Sequence, residues 1–151
     1  MIRPIKKEDL PALKEVLDTI ELFPSEYLDE MISDYLNNPE TEDIWFTATE
    51  ADKPISLAYC APEKFTEGTF NLYAIGVKKD CQGKGHGAKM MNYIENQLKA
   101  RGHRVLIVET SSSPDLALTR EFYPKQGYKQ VAVLPDFWTE GEDKVVFWKK
   151  V

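Results

Sequence analysis

The sequence predicts a single α/β domain over residues 1–151, with a three-strand meander, a helix and further strands around it. Three observations carry that prediction. Three β-like runs, Ile44–Glu50, Ile55–Ala61 and Thr69–Val77, follow one another through short polar connections, as an antiparallel meander requires. Helical periodicity brackets them on both sides. The chain length suits one core, and its 42% apolar residues are those of an ordinary globular protein.

Taken in order, Ile2–Ile5 reads as a short strand whose Pro4 suits a sheet edge. Glu8–Ile20 places Leu10, Leu13, Val16, Leu17 and Ile20 at helical spacing. Ser25 is a candidate cap for a second helix running to Asn37, where Asn37-Asn38-Pro39 ends it. After the meander, Gly85–Arg101 is helical, with Ala88, Met91, Ile94 and Leu98 on one face and Gly102 as its stop. Val105–Glu109 reads as a buried strand. Leu116–Gln126 reads as a helix that Pro124 must end or kink. Lys129–Leu134 and Lys144–Lys150 alternate as a final antiparallel pair, and Pro135–Asp143 reads as an aromatic, acidic loop between them.

Charge is unevenly spread. The net charge is −6, yet residues 78–104 sum to +5 inside an acidic chain. That balance argues against duplex nucleic acid as a partner and suits a compact polyanion, although a lysine-bearing solvated helix face would look the same. No apolar run reaches the roughly 20 residues that span a bilayer, so no membrane partner is expected. The opening MIRPIKKEDL lacks the apolar core of a secretory signal, which points to the cytoplasm. Cys60 and Cys81 read as free thiols without metal-ligand spacing, and no metal is expected.

The chemistry lies between Asn71 and Ala88. A strand runs out at Val77, a polar loop follows, and Gly83, Gly85 and Gly87 lead into a helix. Such glycines leave backbone N–H groups uncovered, and the helix start adds its own unpaired donors and positive dipole end. A pyrophosphate suits that cradle, with Lys84 and Lys89 beside it. The string Gly83-Lys84-Gly85-His86-Gly87-Ala88 also satisfies the dinucleotide fingerprint, with Glu109 as its acidic residue. However, five polar residues, Lys78–Gln82, separate it from its strand, where a nucleotide fold needs a tight turn. An NAD-type oxidoreductase is therefore the weaker reading.

The segment Val77…Gln82-Gly-Lys-Gly85-His-Gly87 resembles the Gln/Arg-x-x-Gly-x-Gly/Ala motif of the GNAT N-acetyltransferases. The likeness extends to Ile2-Arg3-Pro4, Glu8-Asp9-Leu10, the meander, and Glu121-Phe122-Tyr123-Pro-Lys-Gln-Gly127-Tyr128. It implies a mixed, largely antiparallel twisted sheet flanked by helices. It implies transfer of an acetyl group from acetyl-coenzyme A directly to a primary amine of a small molecule, amino acid or peptide. Val77, Gln82, Gly83, Lys84, Gly85, His86, Gly87 and Ala88 would bind the coenzyme, Val77 through the pantetheine arm and the rest around the pyrophosphate. Tyr123, in the family's aromatic-Tyr-x-x-x-Gly pattern, would be the general acid; without the resemblance it reads equally as a core aromatic. The histone-acetylating branch has a glutamate base where this chain has Asn71, so Glu109 is the leading substitute, with Glu67 a weaker one and a water-mediated base a further option. Leu116 stands where the family often has an asparagine, and Pro124 follows the tyrosine. Glu26, Tyr27, Asp136, Phe137, Trp138, Glu140 and Glu142 would suit a small cationic amine, and read equally as solvated loops with packing aromatics. A non-catalytic acetyl-coenzyme A sensor would keep the glycine loop without needing Tyr123. The sequence leaves open whether two copies pair as a homodimer.

Overall fold

A computed structural model describes all residues, Met1–Val151, as two compact units. The first holds residues 1–62 and 73–94, the second residues 63–72 and 95–151.

The first unit begins with strand β1 (Ile2–Pro4) and helices α1 (Leu10–Asp18) and α2 (Leu28–Asn37), each entered through a short 3-10 turn. Strands β2 (Ile44–Glu50), β3 (Lys53–Pro54) and β4 (Ser56–Pro62) follow, then the second half of β5 (Thr69–Val77) and the first half of α3 (His86–Ala100). Strand order is β1-β2-β4-β5, with β3 paired to β2. β1 pairs antiparallel with β2 alone, Ile2 facing Ala48, so Pro4 sits on an edge where its missing N–H costs no ladder bond. The apolar stripes of α1 and α2 close over the sheet: Leu13, Val16, Leu17, Leu28 and Ile32 pack with Ile5, Trp45 and Leu57. Ser25 does not cap its helix through its side chain; it is the first residue of the 3-10 turn, behind extended Pro24.

The second unit contains the first half of β5, the end of α3, β6 (Val105–Ser111), α4 (Ala117–Lys125), β7 (Lys129–Thr139) and β8 (Glu142–Lys150). Its strand order is β5-β6-β8-β7. β5 and β6 run parallel, Asn71 opposite Ile107, and α3 is the crossover that a parallel pair requires. The other described pairings are antiparallel. The α/β class, with a largely antiparallel sheet and four α-helices, is the one expected.

One expectation is corrected here. Pro135–Asp143 is not a loop: β7 continues to Thr139, and only Glu140-Gly141 turn the chain into β8. A register shift between Leu134 and Thr139 absorbs Pro135 and the left-handed Asp136 (φ 52), which hid the strand from a period-two reading. Pro124 does stand at the end of its helix: it sits in the last turn of α4, which stops at Lys125. No helix is long and apolar enough to cross a membrane.

Candidate active site

In the first unit, β5 ends at Val77 and the chain turns back over its own sheet. The Lys78 N–H donates to the Ile55 carbonyl (2.8 Å), and the Lys79 N–H donates to Thr19 Oγ1 (3.1 Å), tying the loop to α1. A 3-10 turn at Lys79–Cys81 buries the Cys81 thiol. Gln82 then reaches back, its Nε2 donating to the Val77 carbonyl at 2.9 Å. This bond closes the loop from the end of the strand to the first residue of the motif. The side chain thus shapes the loop that carries it.

Gly83 and Gly85 both have positive φ, +76° and +84°, which a side chain would strain. A Cβ built at either position would meet nothing within 4 Å. The backbone there opens onto space rather than protein. The Gly85 carbonyl accepts the first α-helical bond, from the Lys89 N–H at 3.1 Å, so α3 starts at its edge with its early N–H groups unpaired along the helix. Lys84 and Lys89 are exposed beside it, and no acidic residue occupies the first turn. Gly87 and Ala88 lie inside the helix. His86 turns to Glu50, Nε2 to Oε1 3.4 Å, a contact of the scaffold. Val77 through Ala88 thus form one continuous stretch, from strand end through an open glycine loop into the helix start, the kind of backbone that can accept an anion.

The same unit carries an aromatic stack from β2 to β5. Trp45 lies flat on Tyr59, centroids 4.3 Å apart, and Tyr59 leans on half-exposed Tyr73 at 5.5 Å. Burial, followed by the nearby Asp43 carboxylate, pushes the Tyr59 phenol up to about 12. Burial also raises the Asp43 carboxyl, helped by Asp34.

Tyr123 and Glu109 belong to the second unit. Tyr123 is 3% exposed, its ring against Phe122, Tyr128 and Phe147 with centroids 5.3, 5.8 and 5.4 Å away. The end of α4 explains the spacing of its motif. Gly127, with φ +88, takes the left-handed position just past the helix. Its N–H donates to the Pro124 carbonyl (3.1 Å), while the Tyr128 N–H donates to the Tyr123 carbonyl (3.0 Å). These are the paired bonds of a Schellman stop, with the two tyrosine rings as its apolar contact.

Glu109 lies near the end of β6, its side chain 20% exposed. Its Oε1 accepts from Asn71 Nδ2 at 2.7 Å, and its Oε2 is ion-paired with Lys144. Lys144 in turn stands 4.2 Å over the Phe137 ring, and Phe137 meets Trp138 edge-on. Sequence reasoning missed Lys144 and Glu63 here. The first was read as a strand-starting lysine, and its partnership with Glu109 follows only from the β6–β8 register, Glu109 opposite Val146. Glu63 reaches Asn71 because the chain reverses between β4 and β5, where the Glu63 N–H donates to the Thr69 carbonyl. Of the loop residues expected to flank the acceptor, Tyr27, Phe137 and Trp138 are about half exposed.

Comparison with known proteins agrees with this geometry. The profile of the acetyltransferase (GNAT) family matches residues 10–128. An uncharacterised N-acetyltransferase of Methanocaldococcus jannaschii is 31% identical over 86 residues, 55% of this chain and only 53% of the relative. A [ribosomal protein bS18]-alanine N-acetyltransferase of Haemophilus ducreyi is 27% identical over 91% of this chain and 88% of its own length. Among solved structures, a protein assigned to the GNAT family from Desulfovibrio desulfuricans superposes with a TM-score of 0.92 at 26% identity, covering 99% of this chain and 98% of that one. An aminoglycoside 6′-N-acetyltransferase complexed with coenzyme A shares the fold at TM-score 0.80 and 20% identity, covering 99% and 96%. The glycine loop, the tyrosine-glycine helix stop and the matched profile lead to one assignment: the chain belongs to the acetyltransferase (GNAT) family of acyltransferases.

Proposed function

We propose that residues 1–151 act as one N-acetyltransferase domain that passes an acetyl group from acetyl-coenzyme A directly to a primary amine. The observation that carries this reading is the loop at Gly83 and Gly85, positive in φ, open where a side chain would stand, and followed at once by the start of α3. The backbone donors of Gln82–Ala88, with Lys84 and Lys89, would hold the pyrophosphate, and the end of β5 at Val77 would receive the pantetheine arm. Acetyl-coenzyme A supplies the thioester carbonyl that the amine attacks. As the C–N bond forms and the C–S bond breaks, the thiolate needs a proton and the amine must lose one.

Tyr123 is proposed as the donor. A phenol, ordinarily near pKa 10, can protonate a thiolate whose conjugate thiol lies near 8.5 only with help from position, which its aromatic packing and helix stop supply. Glu109 is proposed as the acceptor, directly or through water. Both its oxygens are engaged, Oε2 with Lys144 and Oε1 with Asn71, so its contribution should be the smaller. The named acceptors of relatives, an alanine of ribosomal protein bS18 and an aminoglycoside 6′-nitrogen, support an amine acceptor. The two buried free cysteines support a cytoplasmic setting.

Thiol release from acetyl-coenzyme A over a panel of amines, amino acids and peptides tests the reading. Release should depend on an amine, and Tyr123→Phe should lower kcat by about 100-fold while leaving coenzyme affinity within a factor of two. Amine-independent hydrolysis, or full kcat in the Phe variant when chemistry limits the rate, would remove Tyr123 from the mechanism. Coenzyme binding without turnover of any amine would leave a sensor.

A further inference from the structure

Within the first unit, the polar loop that precedes the glycines is anchored by the end of helix α1. Thr19 stands just past that end. Its hydroxyl donates 2.7 Å to the Val16 carbonyl in the last turn of the helix. With its only proton committed there, the same oxygen accepts the Lys79 N–H at 3.1 Å. One short side chain thus joins the end of α1 to the loop, two residues beyond the end of β5 at Val77.

A second contact lies earlier in the chain, at Gly76, next to last in β5. Gly76 is not among the glycines with positive φ, so its backbone does not demand a glycine. Room does. A Cβ built there would stand 2.5 Å from Ile20 Cδ1 and 3.1 Å from Leu22 Cδ2. Ile20 and Leu22, just past Thr19, therefore lie against the bare strand. Between the two contacts come Val77 and Lys78, and the Lys78 N–H is itself bound to the Ile55 carbonyl. Ile20, Leu22 and Phe23 also pack at the margin of the core beneath α1 and α2. Close-packed side chains transmit a displacement rather than absorb it, so a shift at Lys79 is felt along residues 19–23. Each feature has an ordinary use: a threonine can end a helix, and a glycine can ease a turn. Here both meet the same strand end, which neither use requires.

We propose that Thr19 is a positioning residue for the coenzyme loop, and that through it occupancy of the loop is transmitted to residues 20–23, seated on Gly76. This role rests on the reading of the glycine loop as the acetyl-coenzyme A site. Thr19 fixes where the loop leaves the sheet, ahead of Gln82–Ala88. A loop held in place before its ligand arrives loses less freedom on binding, so the tie acts on affinity.

Two variants test the role, with coenzyme A as the probe. Thr19→Val keeps the shape and removes the hydroxyl. The Lys79 N–H is at the surface, so water replaces its partner and the unliganded variant should melt close to wild type. Calorimetry should show coenzyme A bound about five-fold more weakly, the worth of one modest hydrogen bond. Thr19→Ser restores the hydroxyl and should bind within about a factor of two of wild type. Hydrogen–deuterium exchange at saturating coenzyme A gives a readout that a role confined to α1 would not move. Exchange at the amides of residues 20–23 should slow on binding in wild type and Thr19→Ser, and much less in Thr19→Val. Undiminished affinity or undiminished protection in Thr19→Val, or the same losses in Thr19→Ser, would overturn the role and leave Thr19 the end of a helix. Coenzyme A binding by the wild type would then still support the glycine loop as its site. Wild-type protein that binds no coenzyme A would instead bring down that reading of the loop, and the role of Thr19 with it.

Discussion

At Gly85 the positive φ and the empty space around a would-be Cβ separate two costs that usually come together. A side chain there would strain its own backbone yet collide with no protein atom, so any steric block falls on the ligand. Gly85→Val should therefore lose acetyl-coenzyme A binding, read by calorimetry, while far-UV circular dichroism stays native and stability falls by about 1–2 kcal/mol. Asp9 presents the opposite case, a residue whose work is structural. It is 6% exposed, accepts two bonds from the Arg3 guanidinium (2.7 and 2.9 Å) and a third from the Lys6 N–H (2.8 Å). The Arg3 hydrogen bonds hold its carboxyl below the ordinary aspartate value. A lowered folded-state pKa gives stability that is present above the unfolded value, near 3.9, and lost as pH falls through the folded one. Asp9→Asn should cost about 1–2 kcal/mol at pH 7 in urea unfolding and less at pH 3, below the unfolded value, where the unfolded carboxyl is largely protonated and part of the linked stability is already lost. An equal loss at both pH values would assign the effect to packing. The Glu8-Asp9-Leu10 signature was visible in the sequence; that Arg3 clasps it was not, because the pair spans a strand and a turn.

Helix α4 shows how an element can hold a side chain, here the proposed proton donor Tyr123, by the way it ends. The Schellman bonds at Gly127 run to the carbonyls of Pro124 and Tyr123, and the rings of Tyr123 and Tyr128 meet across the stop. Gly127→Ala must hold a Cβ at φ +88, about 3.4 Å from the flexible Lys149 side chain, so the strain is backbone rather than steric. It should cost about 1 kcal/mol or more of stability and lower kcat with little change in coenzyme affinity. A variant that loses stability but keeps kcat would show that the stop positions Tyr123 no better than an unrestrained helix end. Elements with simple periods were legible in advance: β2 and β5 have the predicted bounds, and α3 ends at Ala100 before Gly102. The β7–β8 hairpin was not. Pro135, a left-handed Asp136 and a register shift break its alternation, and almost all of β7 is exposed, so no apolar face announced the strand.

For the whole molecule, the sequence patterning conveyed the order of elements and the glycine loop, because both are written locally. The contacts around Asn71 were hidden because Glu109 and Lys144, far along the chain, meet there through strand register, and Glu63 through the reversal between β4 and β5. The central claim, that this fold uses its glycine loop for acetyl-coenzyme A, is a claim about the entire folded state, since a ligand that binds only the native protein stabilises all of it. At 100 times its dissociation constant such a ligand adds about 2.7 kcal/mol. For a chain of this size that raises the melting temperature by roughly 5–10 °C. The direct measurement is a thermal melt of the wild-type protein with acetyl-coenzyme A and, separately, with NAD. The account predicts a shift in that range with acetyl-coenzyme A and none with NAD; a shift with NAD and none with acetyl-coenzyme A would contradict it.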